Sequence, residues 1–178
     1  MKKALAVAAL IIAIGNTTFA QTKNSITKSA VTFKIKNLGF NTRGSFGAVS
    51  GDIQFDPQKL ATSSIVASID VASVNTDNEK RDTHLKSEDY FDVAKYPKIS
   101  MKSVSFKHGS ADNYTGQFNV TIKDKTKLIS VPFVYTEAGG AGFFKGSFKI
   151  KRTDFGIGSK NVILSDEATV TVEAETGK

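Results

Sequence analysis

The sequence predicts an all-β domain of eight antiparallel strands with one short helical insertion, arranged as a closed barrel or a sandwich. Three observations predict it. Apolar and polar residues alternate with a period of two through most of the chain after residue 30. The alternation lapses for long only once, between Asn75 and Tyr96. Thirteen phenylalanines, with no cysteine and no tryptophan, supply a large smooth apolar face and leave no disulfide framework to hold it.

The chain begins with a charged pair, Lys2 and Lys3, an apolar run from Ala4 to Ile14, and the small-x-small triplet Thr18-Phe19-Ala20. This pattern reads as a signal peptide over residues 1–20, cut after Ala20. A run of about 11 residues is too short for the roughly 20 that cross a bilayer, so no membrane span is expected. The remaining part, residues 21–178, is expected to form one barrel domain that is periplasmic or secreted. Without Lys2 and Lys3 it carries 22 basic and 17 acidic side chains, a net charge of +5. The lysines are spread along the strands rather than clustered with exposed aromatics, which speaks against a nucleic-acid partner.

The first strand is legible in Val31, Phe33 and Ile35 set against Thr32, Lys34 and Lys36. A second places Gly47, Val49, Gly51, Ile53 and Phe55 on one face, with Ser50, Asp52 and Gln54 on the other. Further strands are expected at 64–73, 98–107, 113–122, 127–136, 143–151 and 166–175. In the insertion, Asp77 or Asn75 is expected to cap a helix carrying Glu79 to Lys86, and Ser87 to cap a second short turn reaching Val93. Pro97 returns the chain to an extended course.

An eight-stranded barrel has room inside for side chains or one slender ligand. Glycines 44, 47, 51, 116 and 146 lie in or beside strands, where they permit coiling or close approach of a ligand. If Gly51 and Gly146 face inward, a phenylalanine at either is expected to fill the interior. The adjacent pair Phe143-Phe144, and Val104 near Phe106, mark places where a bulge shifts the register.

Constellations for catalysis are weak. His84 and His108 lack the spacing of paired metal ligands. No serine sits in a Gly-x-Ser-x-Gly elbow, and there is no glycine-rich phosphate loop. Glu88, Asp89 and Asp92 read as a solvated turn rather than an acid/base pair. Arg81-Asp82-x-His84 reads as a salt-bridged helix over one barrel end, with a head-group contact as the sharper alternative. Arg152 continues the inward face of Phe144, Phe148 and Ile150; it is expected to pair at the rim with an acid such as Asp154, the alternative being an inward arginine facing an anion.

Several segments together resemble the YceI-like family. They are Asn37-Leu38-Gly39-Phe40 with Gly44-Ser45-Phe46 and Phe55-Asp56-Pro57; the long stretch from Ile69 through Asn78-Glu79-Lys80-Arg81-Asp82-Thr83-His84-Leu85 to Ile99; and Arg152-Thr153-Asp154-Phe155-Gly156-Ile157-Gly158. The resemblance implies an eight-stranded antiparallel lipocalin-like barrel that holds a polyisoprenoid or quinone-like lipid in an apolar tunnel. Asn37 stands where the family often has histidine, and Val120-Thr121-Ile122-Lys123-Asp124-Lys125 replaces the usual turn between the middle strands.

The inward face gives the candidate ligand-binding residues: Phe33, Ile35, Phe46, Val49, Ile53, Ile69, Met101, Phe118, Val120, Phe133, Phe148 and Ile150. Candidate head-group or rim contacts are Asn37, Arg81, His84 and Arg152. The expected function is non-catalytic binding, carriage or sequestration of an isoprenoid-type lipid, with no cofactor. The competing readings are a solid-core, stress-related interaction protein and an enzyme acting on such a lipid. The sequence leaves the oligomeric state open, a homodimer being one option.

Overall fold

The computed structural model describes residues 24–177. The signal-peptide expectation falls outside them. Nine strands run β1 (Asn24–Asn37), β2 (Phe40–Phe46), β3 (Ser50–Gln54), β4 (Ser64–Asp70), β5 (Lys98–His108), β6 (Asn113–Ile122), β7 (Lys125–Ala138), β8 (Ala141–Lys151) and β9 (Leu164–Thr176). One helix, α1 (Glu79–Lys86), lies between β4 and β5. All neighbouring strands are antiparallel, and β9 pairs back onto β1, closing the sheet.

The closed barrel has eight positions because β2 and β3 share one. The upper part of β1 pairs with β2, from Val31↔Phe46 to Asn37↔Phe40, while its first residues, Asn24 and Ser25, pair with β3. The turn signal at Leu38-Gly39 and the glycine at 44 hide β2 from a reading by alternation, although Thr42, Gly44 and Phe46 do share a face. On its other side β3 pairs with β4, whereas β2 makes a single bridge, Ser45↔Asn75. A seam therefore opens between β2 and the segment that follows β4, and α1 lies along that stretch of chain.

The alternation places side chains as expected on most strands. In β1, Val31, Phe33 and Ile35 are more buried than Thr32, Lys34 and Lys36, which are exposed. In β8, Phe144, Phe148 and Ile150 point inward and Phe143 outward. The register shift in β5 falls between Ser103 and Ser105, so Val104 is the bulged, exposed residue and Phe106 returns to the core. Pairing of β4 with β5 stops at Val66↔Lys102, and Ser103 Oγ accepts from the Ile65 N–H at 2.9 Å just past that point.

Three expectations about local structure are corrected. The strand expected over 64–73 ends at Asp70, whose carboxylate accepts from the Ala72 N–H and starts a 3-10 turn. The cap of α1 is Asn78, accepting from the Arg81 N–H at 2.9 Å, not Asn75 or Asp77. Asp77 lies in the left-handed region, at φ 58°, and its N–H is taken by the Asn75 side chain, so both build the turn before the cap. The second short turn does follow, with the Tyr90 and Asp92 N–H groups donating to the Ser87 carbonyl, but the Ser87 side chain does not cap it: its hydroxyl donates back to the His84 carbonyl at 2.8 Å and closes α1.

The glycines serve the sheet rather than leaving space for a ligand. Phe33 pairs across from Gly44, Phe106 from Gly116 and Phe133 from Gly146. A Cβ at Gly44 would lie 2.3 Å from the Phe33 ring. At Gly116 it would meet Phe118 at the same 2.3 Å. At Gly44 and Gly116 a ring covers the backbone that the glycine exposes, as aromatics do for glycines in curved sheets, whereas a Cβ at Gly146 would meet Phe133 Cβ, the Pro132 carbonyl oxygen and Val131 Cγ1, each at 3.2 Å. Gly51 has φ 154°, and a Cβ there would strike the Val66 carbonyl oxygen at 2.1 Å. Gly51 and Gly146 are thus not tunnel-lining positions, and a phenylalanine at either would break strand geometry or packing.

The two chain ends of the described region meet, with the Gly177 N–H donating to the Ser25 carbonyl at 3.2 Å.

Candidate functional site

Antiparallel connectivity puts the β1–β2, β4–β5, β6–β7 and β8–β9 connections at one end of the barrel and the β3–β4, β5–β6 and β7–β8 connections at the opposite end, with the β2–β3 link partway between. The interior differs sharply between the two ends. At the end with the β5–β6 and β7–β8 hairpins, Phe55 leaves β3 and turns inward, where its ring meets those of Phe106, Tyr114, Phe133, Tyr135 and Phe144 at centroid distances of 4.9 to 5.6 Å. These contacts are edge-on, the arrangement that aromatic quadrupoles favour. Burial, together with Glu137 nearby, pushes the Tyr135 phenol up to about 12.

At the insertion end the interior is hollow. A cavity of about 330 Å³ runs along β1, β9, β8 and β5, with an almost wholly apolar wall. Of the residues expected to bind a ligand, Phe33, Ile35, Phe46, Val49, Ile69, Met101, Val120, Phe148 and Ile150 line it. Ile53, Phe118 and Phe133 do not. They are 3 to 7% exposed and belong to the packed cluster, because their strand positions fall below the level at which the rings close the barrel.

The wall also holds residues that alternation did not single out. Ala168, Val170 and Val172 of β9 are lining residues whose period-two spacing is legible in the sequence. Leu85, Tyr90 and Phe91 come from the insertion, where no periodicity marks them. Phe91 meets Phe46 edge-on at 5.8 Å, and Phe46 in turn meets Phe33 at 5.6 Å, so the insertion continues the aromatic wall of β1 and β2.

Polar groups gather where the cavity reaches the seam. Asn37 and Thr42 come from β1 and β2, Arg81 and His84 from α1. Arg81 donates from Nε to the Thr76 hydroxyl at 2.7 Å and from Nη2 to the Thr76 carbonyl at 2.6 Å. The Asp82 carboxylate accepts from the Thr76 N–H and hydroxyl, fixing that buried threonine from the other side. Nη1 of Arg81 has no protein partner among the described residues. His84 is exposed, with its ring 4.7 Å from that of Tyr90. His108 lies at the opposite end of the barrel, on the Ala111 carbonyl, so the two histidines share no site.

Arg152 is inward, as its place on the β8 face allows, but its partner is Asp166 at 3.2 Å and not Asp154, which is exposed. Its other bonds go to backbone carbonyls: Nε to Ser165, Nη1 to Ile157 and Ser159, and Nη2 to Leu164. A guanidinium has five N–H donors, and all five are used here. Arg152 therefore ties the β8–β9 connection across the barrel end and has no donor left for a ligand head group. At 3% exposure such a charge is tolerable only with this full set of partners.

The chain matches the YceI-like domain over residues 23–176. A UPF0312 protein of Vibrio cholerae serotype O1 is 30% identical over 141 residues, covering 72% of each chain. The crystal structure of BcnA from Burkholderia cenocepacia superposes with a TM-score of 0.80 at 27% identity, covering 84% of this chain and 96% of that one. A polyisoprenoid binding domain from Saccharophagus degradans superposes with a TM-score of 0.69, covering 86% and 97%; at 14% identity the likeness is one of fold. With the matched domain spanning the whole barrel, this chain belongs to the YceI-like family.

Proposed function

We propose that the protein binds one slender, apolar lipid of isoprenoid type in the hollow half of the barrel and carries or sequesters it without chemical change. The observation that carries this reading is the cavity itself: about 330 Å³, walled mainly by aliphatic and aromatic side chains. Apolar burial contributes about 25 cal/mol per Å², so a chain lying along Phe33, Ile150, Val170 and Met101 gains affinity from contact area alone. The Arg81 Nη1 and His84, with Asn37 and Thr42, suit a polar or quinone-like head at the seam. The class of ligand is that named for the Saccharophagus domain.

No base is seated against a nucleophile in this cavity among the described residues, since the His84 ring packs on Tyr90. The hollow interior counts against the solid-core interaction protein. The Lys2 to Ala20 segment supports placing the carrier outside the cytoplasm, in the periplasm or beyond.

Native mass spectrometry of the protein from its own cells, followed by organic extraction, tests the proposal. The expected result is one isoprenoid-type lipid per barrel, lost from an Ala168→Phe variant that remains folded. Ala168 is buried against the cavity, so a ring there occupies the ligand's space. A protein that is empty from cells and also ignores added isoprenoid would overturn it.

A further inference from the structure

We infer that the tip beside the cavity docks on the surface of an anionic lipid bilayer. The turn joining β1 and β2 and the connection entering β9 meet there through the Leu38 N–H donating to the Ile163 carbonyl at 2.9 Å. Four large apolar side chains project from this junction: Leu38 is 68% exposed, Phe40 79%, Val162 104% and Ile163 51%. Most exposed hydrophobics occur singly and need no explanation, but these four share one tip. Their chain neighbours Asn37 and Leu164 line the cavity.

The charge around the tip selects the partner. Lys34, Lys36 and Arg43 point outward on the same face of β1 and β2, and Lys160 lies two residues before Val162. None of the four has an ion pair among the described residues. No acidic residue occurs between 24 and 51 or between 156 and 165. Lys34 sits directly opposite Arg43 in the ladder, a like-charge pairing that costs stability. A cluster of positive charge on the β1–β2 side of the projecting apolar loops, with Lys160 on the other, fits a negatively charged, deformable surface. It repels a second copy of the same tip, which carries the same charges.

Vesicle flotation tests the inference without reference to cargo, using vesicles of phosphatidylcholine with 30% phosphatidylglycerol against phosphatidylcholine alone (about one anionic lipid in three, enough for a surface potential). The expected result is binding to the anionic vesicles that weakens with salt. Each lysine near such a surface is worth roughly fivefold, so Lys36→Gln with Lys160→Gln lowers binding at least about tenfold. Phe40→Ser with Val162→Ser lowers it by a similar factor at unchanged thermal stability. Every variant keeps the parent's N-terminal segment, so differences between them read the tip alone. Equal binding by parent and variants, or none by the parent, overturns the inference. So does self-association of the parent that Phe40→Ser abolishes, which would assign the tip to a second copy.

Discussion

The two halves of the barrel interior are built from the same strands and differ in how their aromatic rings are used. In the packed half, Phe55 stands among five rings and each fills the space between the others. In the hollow half, Phe33, Phe46 and Phe91 follow one another along the wall, leaving a cavity of about 330 Å³. The lesson is that residue type does not decide between core and cavity. What decides is whether a side chain enters across the barrel axis, as Phe55 does from the end of β3, or stays on the wall.

The largest effect expected from breaking this contrast is at Phe55. Phe55→Ala should cost about 3–5 kcal/mol in urea unfolding, because the surrounding rings are held by their strands and cannot close the gap. Phe46→Ala, in the hollow half, should cost under about 2 kcal/mol, since one side of that ring already faces empty space. Equal costs would mean that both halves are packed alike in solution. Next is Arg152→Ala, which removes the charge from Asp166 and strips four carbonyls of their donor; about 3 kcal/mol is expected, measured the same way. It should also loosen the 156–164 connection, raising its amide exchange while the Phe55 end stays protected.

A smaller change is expected at the level between the halves. Gly51→Ala puts a methyl group against the Val66 carbonyl, and a loss of about 2 kcal/mol in thermal unfolding is expected, with no gain in ligand exclusion. The smallest concerns Tyr135, whose folded pKa of about 12 lies above the ordinary 10 of an unfolded chain. The unfolded state thus releases this proton first, so the contribution to stability is intact below pH 10 and falls as pH rises from 10 toward 12. Tyr135→Phe should flatten that part of the stability curve relative to the parent, as read by unfolding midpoints across the range.

Much of the fold was legible because half-buried strands write their two faces into alternate residues. The strands at Val31 to Lys36, Asn113 to Ile122 and Phe143 to Lys151 were readable for that reason. The break between β2 and β3 was not, since it depends on which strand each part pairs with. For the site, nine of the twelve wall candidates line the cavity. Ile53, Phe118 and Phe133 carry the same alternation and differ only in their height along the axis, which no local pattern encodes. Pairing of Arg152 with an acid was legible, but not which acid, because Asp154 is its near neighbour in sequence. Its true partner, Asp166, comes alongside only when β9 has folded back onto β8.

The bond between Gly177 and Ser25 brings the two ends of the barrel's chain side by side at the ring-packed end, the full length of β1 and β9 away from α1 and the seam. Anything joined directly at residue 24 or residue 177 hangs from the ring-packed end. A barrel fixed to a support by such a handle would turn its open side outward, and joining residues 24 and 177 through a short linker offers a circular permutant whose new ends can be placed in the Gly139-Gly140 turn without touching the cavity.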